Sequence, residues 1–107
     1  MMKNDFILTL TSTDEEEISK KISKKLIMEK ACACVNVIPK VQSYYFWENK
    51  FQKSKEWLIL IKSHKSSYKK IELIIKKLHN YEVPEIISIK IDQGYEKYLK
   101  WIKNETH

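Results

Sequence analysis

The order of strand and helix patterns along this chain constrains its fold more than any other feature. Runs rich in apolar, β-branched and aromatic residues predict strands at 6–11, 33–47, 57–62 and 85–91. Apolar residues three and four positions apart predict helices at 14–29, 68–78 and 95–102. Two such strand–helix–strand units predict an α+β ferredoxin-like sandwich, in which a four-stranded antiparallel sheet has two helices on one face and an extra C-terminal helix follows.

The length and composition indicate one domain over residues 1–107. A chain of 107 residues with 43% apolar side chains can bury one core without metal or disulfide support. No apolar run approaches the roughly 20 residues of a membrane span. Residues 1–5 lead directly into the first strand, unlike a signal peptide. We therefore expect a cytoplasmic protein that has no membrane partner.

The second and third strands form a long hairpin with its turn at 47–50, where Asn49 can adopt the left-handed conformation. Pro39 and Lys40 interrupt the second strand. Residues 44–47 are aromatic and residues 57–61 apolar at every position, so both hairpin faces favour burial. Because one short chain lacks a second layer to cover them, we expect a homo-oligomer. Base stacking by the aromatic run is the alternative.

The net charge of +6 comes from lysine alone, because the 20 basic residues include no arginine. Arginine's planar guanidinium is the group best suited to bidentate phosphate and guanine contacts. We interpret the lysines as solvated surface and expect no nucleic-acid partner.

Two groups of residues could carry metal chemistry. Cys32 and Cys34 are soft ligands two positions apart, although buried thiols in a strand are the more common arrangement. We expect both to be reduced and Cys34 to be buried. His79 precedes Glu82 and Glu85, so its ring could bind a divalent ion or titrate near neutral pH, or could instead contact a backbone carbonyl at the helix end.

Several separated motifs occur in one order along nearly the whole chain, and together they resemble the CutA family of divalent-cation tolerance proteins. They are Ala33-Cys34-Val35-Asn36-Val37-Ile38-Pro39, Ser43-x-Tyr45-x-Trp47-Glu48-x-Lys50, Ile61-Lys62, His79-x-Tyr81-Glu82-Val83-Pro84-Glu85-Ile86 and Tyr98-Leu99-x-Trp101.

The resemblance implies a ferredoxin-like subunit, a tight homotrimer joined through the long hairpin, and an association with copper tolerance. It also implies copper ligands at three positions, which here hold Leu10, Leu78 and His79. Because only one ligand is kept, we expect Cu to bind weakly, through His79 with Glu82 or Glu85. We expect a ligand cleft that includes Tyr45, Trp47, Lys62 and Tyr81, and an oligomer interface that includes Tyr44, Phe46, Trp47 and Trp57.

These observations favour a non-enzymatic homotrimer associated with metal tolerance or small-ligand response. One alternative is an RNA-recognition-motif-like nucleic-acid binding module, which shares the strand order but needs exposed aromatics and a glycine that the strand at 57–62 lacks. The other is an enzyme that uses His79 with Glu82 or Glu85 as acid and base. No glycine-rich phosphate loop or nucleophile motif is present.

Overall fold

The structure is a computed structural model that describes residues 5–107, so the expectation about residues 1–4 lies outside the described part. Four strands and three α-helices follow the predicted order. They are β1 (Phe6–Thr13), α1 (Glu16–Met28), β2 (Cys34–Trp47), β3 (Lys50–His64), α2 (Tyr68–Leu78), β4 (Ile87–Lys90) and α3 (Glu96–Glu105), with a short 3-10 turn at Lys65–Ser67 before α2.

The strands form one antiparallel sheet in the order β2-β3-β1-β4, which confirms the ferredoxin-like sandwich. β1 and β3 are longer than the sequence predicts. β3 begins at Lys50 and pairs with β2 up to the hairpin turn. The lysine-rich residues 50–56 therefore belong to the strand, and the hairpin reaches past the end of β1.

Left-handed residues shape this hairpin at two places. Glu48 and Asn49 at the turn have φ values of 52° and 64°, so Asn49 adopts the predicted conformation. The strand pairing shifts between Ile38 and Val41, and Lys40 has a φ of 61°. This irregularity is a β-bulge at the predicted interruption, and beyond it the hairpin continues as an arm.

The main core lies between the sheet and the two helices α1 and α2. Ile22 and Leu26 of α1 pack with Ile71 and Ile75 of α2. Ile59 and Ile61 of β3 contribute the sheet side of the cluster. Since side chains alternate along a strand, Leu58 and Leu60 lie on the opposite face, which these helices leave open.

α3 covers one end of that open face. Leu99 and Ile102 pack against Phe6, which is fully buried at the start of β1. Gly94 precedes this helix, and its φ is not positive. A Cβ at Gly94 would lie 2.8 Å from a methyl carbon of Leu99. The glycine is therefore needed for close packing of α3.

The rest of the open face is apolar and incompletely covered. The strand register places Leu8 and Leu10 of β1 beside Leu58 and Leu60 of β3 on this face. β4 adds Ile87 and Ile89, each 52% exposed. An apolar band thus crosses the sheet between α3 and the hairpin arm.

The hairpin turn provides a test of this geometry. We expect Asn49→Val to destabilise the protein by about 1–2 kcal/mol, because a β-branched residue pays a steric cost at positive φ. The matched change Asn49→Gly removes the same amide and should keep the stability close to that of the unchanged chain. Thermal and urea unfolding midpoints measure both, and equal stability of the two variants would contradict a left-handed conformation at this position.

Candidate cleft at the base of the hairpin arm

A cleft of about 610 Å³ lies where the hairpin arm leaves the body of the sheet. The arm provides Tyr45, Trp47 and Gln52, while the segment between α2 and β4 provides the opposite wall. The structure thus brings together the predicted cleft residues Tyr45, Trp47 and Tyr81. The other lining residues are Ser12, Ser43, Tyr44, Glu56, Glu82, Val83 and Glu85.

Glu56 is the buried acid of this cleft, with only 4% of its surface exposed. Its Oε1 accepts a hydrogen bond from Ser43 Oγ at 2.6 Å, and its Oε2 accepts one from the Tyr81 hydroxyl. Each oxygen of the Glu56 side chain thus accepts a hydrogen bond from one hydroxyl group. The two contacts connect β2, β3 and the segment after α2.

The same environment keeps Tyr81 protonated. Burial raises the pKa of the Tyr81 phenol well above its usual range, and the hydrogen bond to Glu56 and the negative charges of Glu56 and Asp14 act in the same direction. Tyr81 therefore stays neutral and remains a donor to Glu56 near neutral pH.

His79 positions this segment through its backbone contacts. Its Nε2 lies 2.8 Å from the Ser12 carbonyl oxygen, and its Nδ1 accepts a hydrogen bond from the Tyr81 backbone N–H at 3.0 Å. These partners fix the neutral ring with its proton on Nε2. Burial lowers the pKa of His79, while the Ser12 carbonyl and the charges of Glu56 and Asp14 oppose that shift.

Asn80 holds the segment from the other side. Its Oδ1 accepts a hydrogen bond from Thr13 Oγ1 at 2.6 Å, and its Nδ2 donates to Asp14 at 2.8 Å and Glu15 at 3.3 Å. The start of α1 is thereby joined to the loop that carries Tyr81. The Asn80 side chain thus links two loops.

The predicted metal set is only partly assembled in the single chain. Glu82 and Glu85 line the cleft, and Glu85 accepts a hydrogen bond from Ser12 Oγ at 3.3 Å. His79 is not a lining residue, and both of its nitrogens have backbone partners. Within residues 5–107 no three His, Cys, Asp or Glu side chains are grouped as an ion's ligands would be.

Lys62 does not line the cleft within a single chain. The strand register puts it opposite Leu8 and Cys34, six positions beyond Glu56 along β3. Its Nζ lies 3.4 Å from the Tyr98 hydroxyl of α3 and 5.7 Å from the centre of that ring. Lys62 therefore packs at the α3 end of the open face.

The remaining aromatic residues of the hairpin are largely exposed. Tyr44 and Phe46 are 56% and 73% exposed, and both rings pack on Phe51. Trp57 is half-buried and lies in a separate groove of about 790 Å³ beside α1. The predicted interface residues thus occupy both faces of the hairpin.

Glu56, Ser43 and Ser12 are cleft residues that the sequence interpretation missed. Glu56 follows three lysines within seven positions, so it resembles one member of a solvated charged run. The alternation of side chains along β3 could have revealed Glu56, because it lies on the same face of the strand as the apolar Leu58 and Leu60. An acid in such a row is costly to bury and indicates a specific partner.

Comparison with known proteins places this arrangement in a family. The family model described as CutA1 divalent ion tolerance protein matches residues 7–105. The chain belongs to this CutA1 family. The curated CutA of Thermus thermophilus, named a divalent-cation tolerance protein, is 34% identical over 99 residues, which are 92% of this chain and 96% of that protein.

Other CutA relatives agree. The chloroplastic CutA of Arabidopsis thaliana is 37% identical over 94% of this chain, but the chain spans only 55% of that protein's length. The crystal structure of CutA1 from Oryza sativa has a TM-score of 0.94 and 36% identity, covering 100% of this chain and 98% of that one. These relatives are named as CutA or tolerance proteins. The Oryza sativa structure shares the fold of this subunit over the whole chain.

The two cysteines differ from the expectation for this CutA chain. Cys32 precedes β2 and is buried in the core below α1 and α2, where burial and then the adjacent Cys34 raise its pKa to about 12. Cys34 is only half-buried, and its thiol lies 3.6 Å from Asn36 Oδ1. The prediction that at least Cys34 is buried is wrong, because the strand starts at Cys34 and it is Cys32 that turns into the core.

None of the helices within residues 5–107 combines the length and the apolar character of a membrane span.

The protonation of His79 predicts how stability depends on pH. Because the folded protein lowers the pKa of His79, the unfolded chain takes up a proton first as the pH falls below the ordinary value of about 6.5. We expect the free energy of unfolding to decrease as the pH falls below about 6.5, and to stop decreasing once the pH is below the pKa of His79 in the folded protein. Urea midpoints at pH 7.5 and 5.5 should show this loss, and His79→Gln should reduce it. The exposed His107 provides the control His107→Gln, and an unchanged loss in His79→Gln would contradict the assignment.

Thiol reactivity distinguishes the two cysteines. We expect Cys32 to react with a disulfide reagent at least about a hundredfold more slowly than Cys34 at pH 8, because burial suppresses both its thiolate and its access. Single variants Cys32→Ser and Cys34→Ser assign the phases in stopped-flow absorbance. Equal rates in the native protein would contradict burial of Cys32.

Proposed function

We propose that this chain is a non-enzymatic, homotrimeric protein of divalent-ion tolerance that binds a small ligand in the cleft around Glu56. The observation that carries the proposal is the position of the cleft at the edge of an uncovered apolar sheet face. A partner subunit that covers this face would stabilise the protein by removing apolar surface from water, and the partner would also close the cleft.

The open face supports self-association. Ile87 and Ile89 are half exposed opposite Leu10 and Leu8 of β1, and an apolar band across a sheet is an unusual solvent surface for a monomer. Burial of such a band contributes about 25 cal/mol for each Å² removed from water. Identical subunits pack most simply around a closed symmetry axis, and the family resemblance favours three.

The hairpin arm would provide the second contact between subunits. Tyr44 and Phe46 expose aromatic surface, which is enriched at stable interfaces. The groove beside α1 contains Trp57, Val37 and Pro39 and offers apolar surface to a neighbouring arm. With both contacts formed, the cleft of one subunit lies at the junction with the next.

Copper is a weak ligand in this proposal. Leu10 and Leu78 stand where the resemblance implies ligands, and aliphatic side chains provide no donor atom. Binding through His79 would require loss of its hydrogen bond to Ser12 or to Tyr81. We expect Cu(II) to associate weakly, through His79 with Glu82 or Glu85.

The same geometry favours binding over catalysis. A general base needs a free lone pair directed at its substrate, and the free lone pair of His79 is taken by the Tyr81 backbone. The nucleic-acid alternative has no support, since the open-face residues Leu58 and Leu60 are aliphatic.

Two free thiols favour a reducing compartment, and we propose the cytoplasm. Relatives include chloroplastic and periplasmic proteins.

The oligomeric state tests this proposal. Light scattering after gel filtration should give three times the chain mass of 12.9 kDa at micromolar concentration. We expect Ile89→Lys to shift the protein toward monomer, because a buried unpaired ammonium costs several kcal/mol. Leu73→Lys makes the same change at a residue of α2 that is 66% exposed, and it should leave the trimer intact. A monodisperse monomer would overturn the proposal, as would equal effects of the two substitutions.

A further inference from the structure

The cleft around Glu56 has the opposite charge character from the rest of the molecule. The chain carries a net charge of +6 from its 20 lysines. Glu56, Glu82 and Glu85 line the cleft, and among residues 5–107 no lysine does. Such a site attracts a cation against the potential of the whole protein.

Glu56 has hydrogen bonds but no counter-ion. Ser43 and Tyr81 are neutral donors, and none of the four ion pairs found within residues 5–107 includes Glu56. A buried carboxylate without a cation is costly, since hydroxyl donors replace only part of its hydration. An external positive charge in the cleft would offset that cost.

Aromatic rings provide the second recognition element. Tyr45, Trp47 and Tyr81 line the same cleft, and Tyr45 and Trp47 are 40% and 44% exposed. The faces of such rings attract cations, with tryptophan the strongest. A neighbouring pair shows this contact within the chain, because Lys53 Nζ lies 5.7 Å from the centre of the Tyr44 ring.

The size and donor pattern distinguish an organic cation from a metal ion. A metal ion requires several donor atoms converging at about 2.0–2.6 Å, and residues 5–107 contain no such group of three acidic, histidine or cysteine side chains. The cleft volume of about 610 Å³ lies within the range of small-molecule sites, roughly 300–1,000 Å³.

The hydrogen bonds of Glu56 indicate which kind of organic cation fits the cleft. The Glu56 side chain is only 4% exposed and each of its oxygens already accepts an O–H, so little of this carboxylate is open to hydrogen bonds from a primary ammonium. A quaternary ammonium has no N–H to satisfy and binds through aromatic faces and long-range attraction. We propose that the cleft binds a quaternary ammonium compound, with its cationic nitrogen between the rings of Tyr45, Trp47 and Tyr81 and next to Glu56. This inference rests on the proposed ligand-binding function of the cleft.

Calorimetry with the full-length protein in its native assembly tests the ligand class. The probes are choline, its uncharged isostere 3,3-dimethyl-1-butanol, ethanolamine and CuCl2. We expect choline to bind at least about tenfold more tightly than the isostere and than ethanolamine, because the isostere has no charge for the ring faces to attract and a primary ammonium is more strongly hydrated. Binding of copper without competition by choline would place the metal elsewhere and leave the inference intact.

Matched variants test the residues. Glu56→Gln should weaken choline at least about fivefold, while Glu48→Gln, which removes the same charge at the hairpin turn, should not. Trp47→Leu should weaken choline and leave the isostere nearly unchanged. If Glu56→Gln does not fold by circular dichroism, the exposed Glu82→Gln with Glu85→Gln replaces it and should weaken choline through the lost charge.

The outcomes separate this inference from the proposed function. Equal binding of choline and its isostere in the cleft, lost in Trp47→Leu, would overturn the quaternary ammonium and keep a ligand site. Absence of binding by choline in an intact trimer would also overturn the inference, while the assembly would stand. Copper binding that choline displaces and Glu56→Gln abolishes would assign the cleft to a metal instead.

Discussion

The hydrogen bond from the Tyr81 phenol to the Glu56 carboxylate is the contact on which the shape of the cleft depends. Glu56 lies on β3 at the base of the hairpin arm, and Tyr81 lies in the segment between α2 and β4. Among the hydrogen bonds of residues 5–107, this is the contact that joins the segment to β3. The other side-chain hydrogen bonds from the segment go to the end of β1 and the start of α1. The acid is tolerated in its buried place because both oxygens accept a proton donor.

The position of Tyr81 is itself the result of hydrogen bonds made by the side chains of its neighbours His79 and Asn80. His79 accepts from the Tyr81 N–H and donates to the Ser12 carbonyl, and Asn80 bonds to Thr13 and Asp14. Two consecutive side chains thus attach the loop to the end of β1, and the tyrosine that follows reaches across to β3. His79 is a positioning residue in this arrangement, and its contribution is greatest in the neutral form that burial favours.

The sequence predicts the fold well because the physical signals are local. Ile18, Ile22 and Leu26 repeat at helical spacing, and Asn49 carries its turn preference in its own side chain. The cleft depends on contacts between distant parts of the chain, so it was predicted only in part. Tyr45, Trp47 and Tyr81 were found through motif resemblance. Glu56 was missed because its burial depends on a tyrosine 25 positions away. The place of Lys62 in the single chain follows from the strand register, which the sequence motifs do not specify.

The distribution of charge between the two faces has a consequence for any ligand. Lys20, Lys24, Lys69 and Lys76 lie exposed on α1 and α2, on the face opposite the cleft. At physiological salt, charges separated by more than about 8 Å are largely screened in water. The lysines across the sheet therefore oppose a bound cation weakly, while the partly desolvated carboxylates of the cleft act at short range and in a lower dielectric. A chain of high overall basicity can in this way maintain a cation-selective site, provided that no lysine enters the cleft. In the single chain Lys62 meets that condition, because its ammonium group lies next to the Tyr98 hydroxyl at the α3 end of the open face.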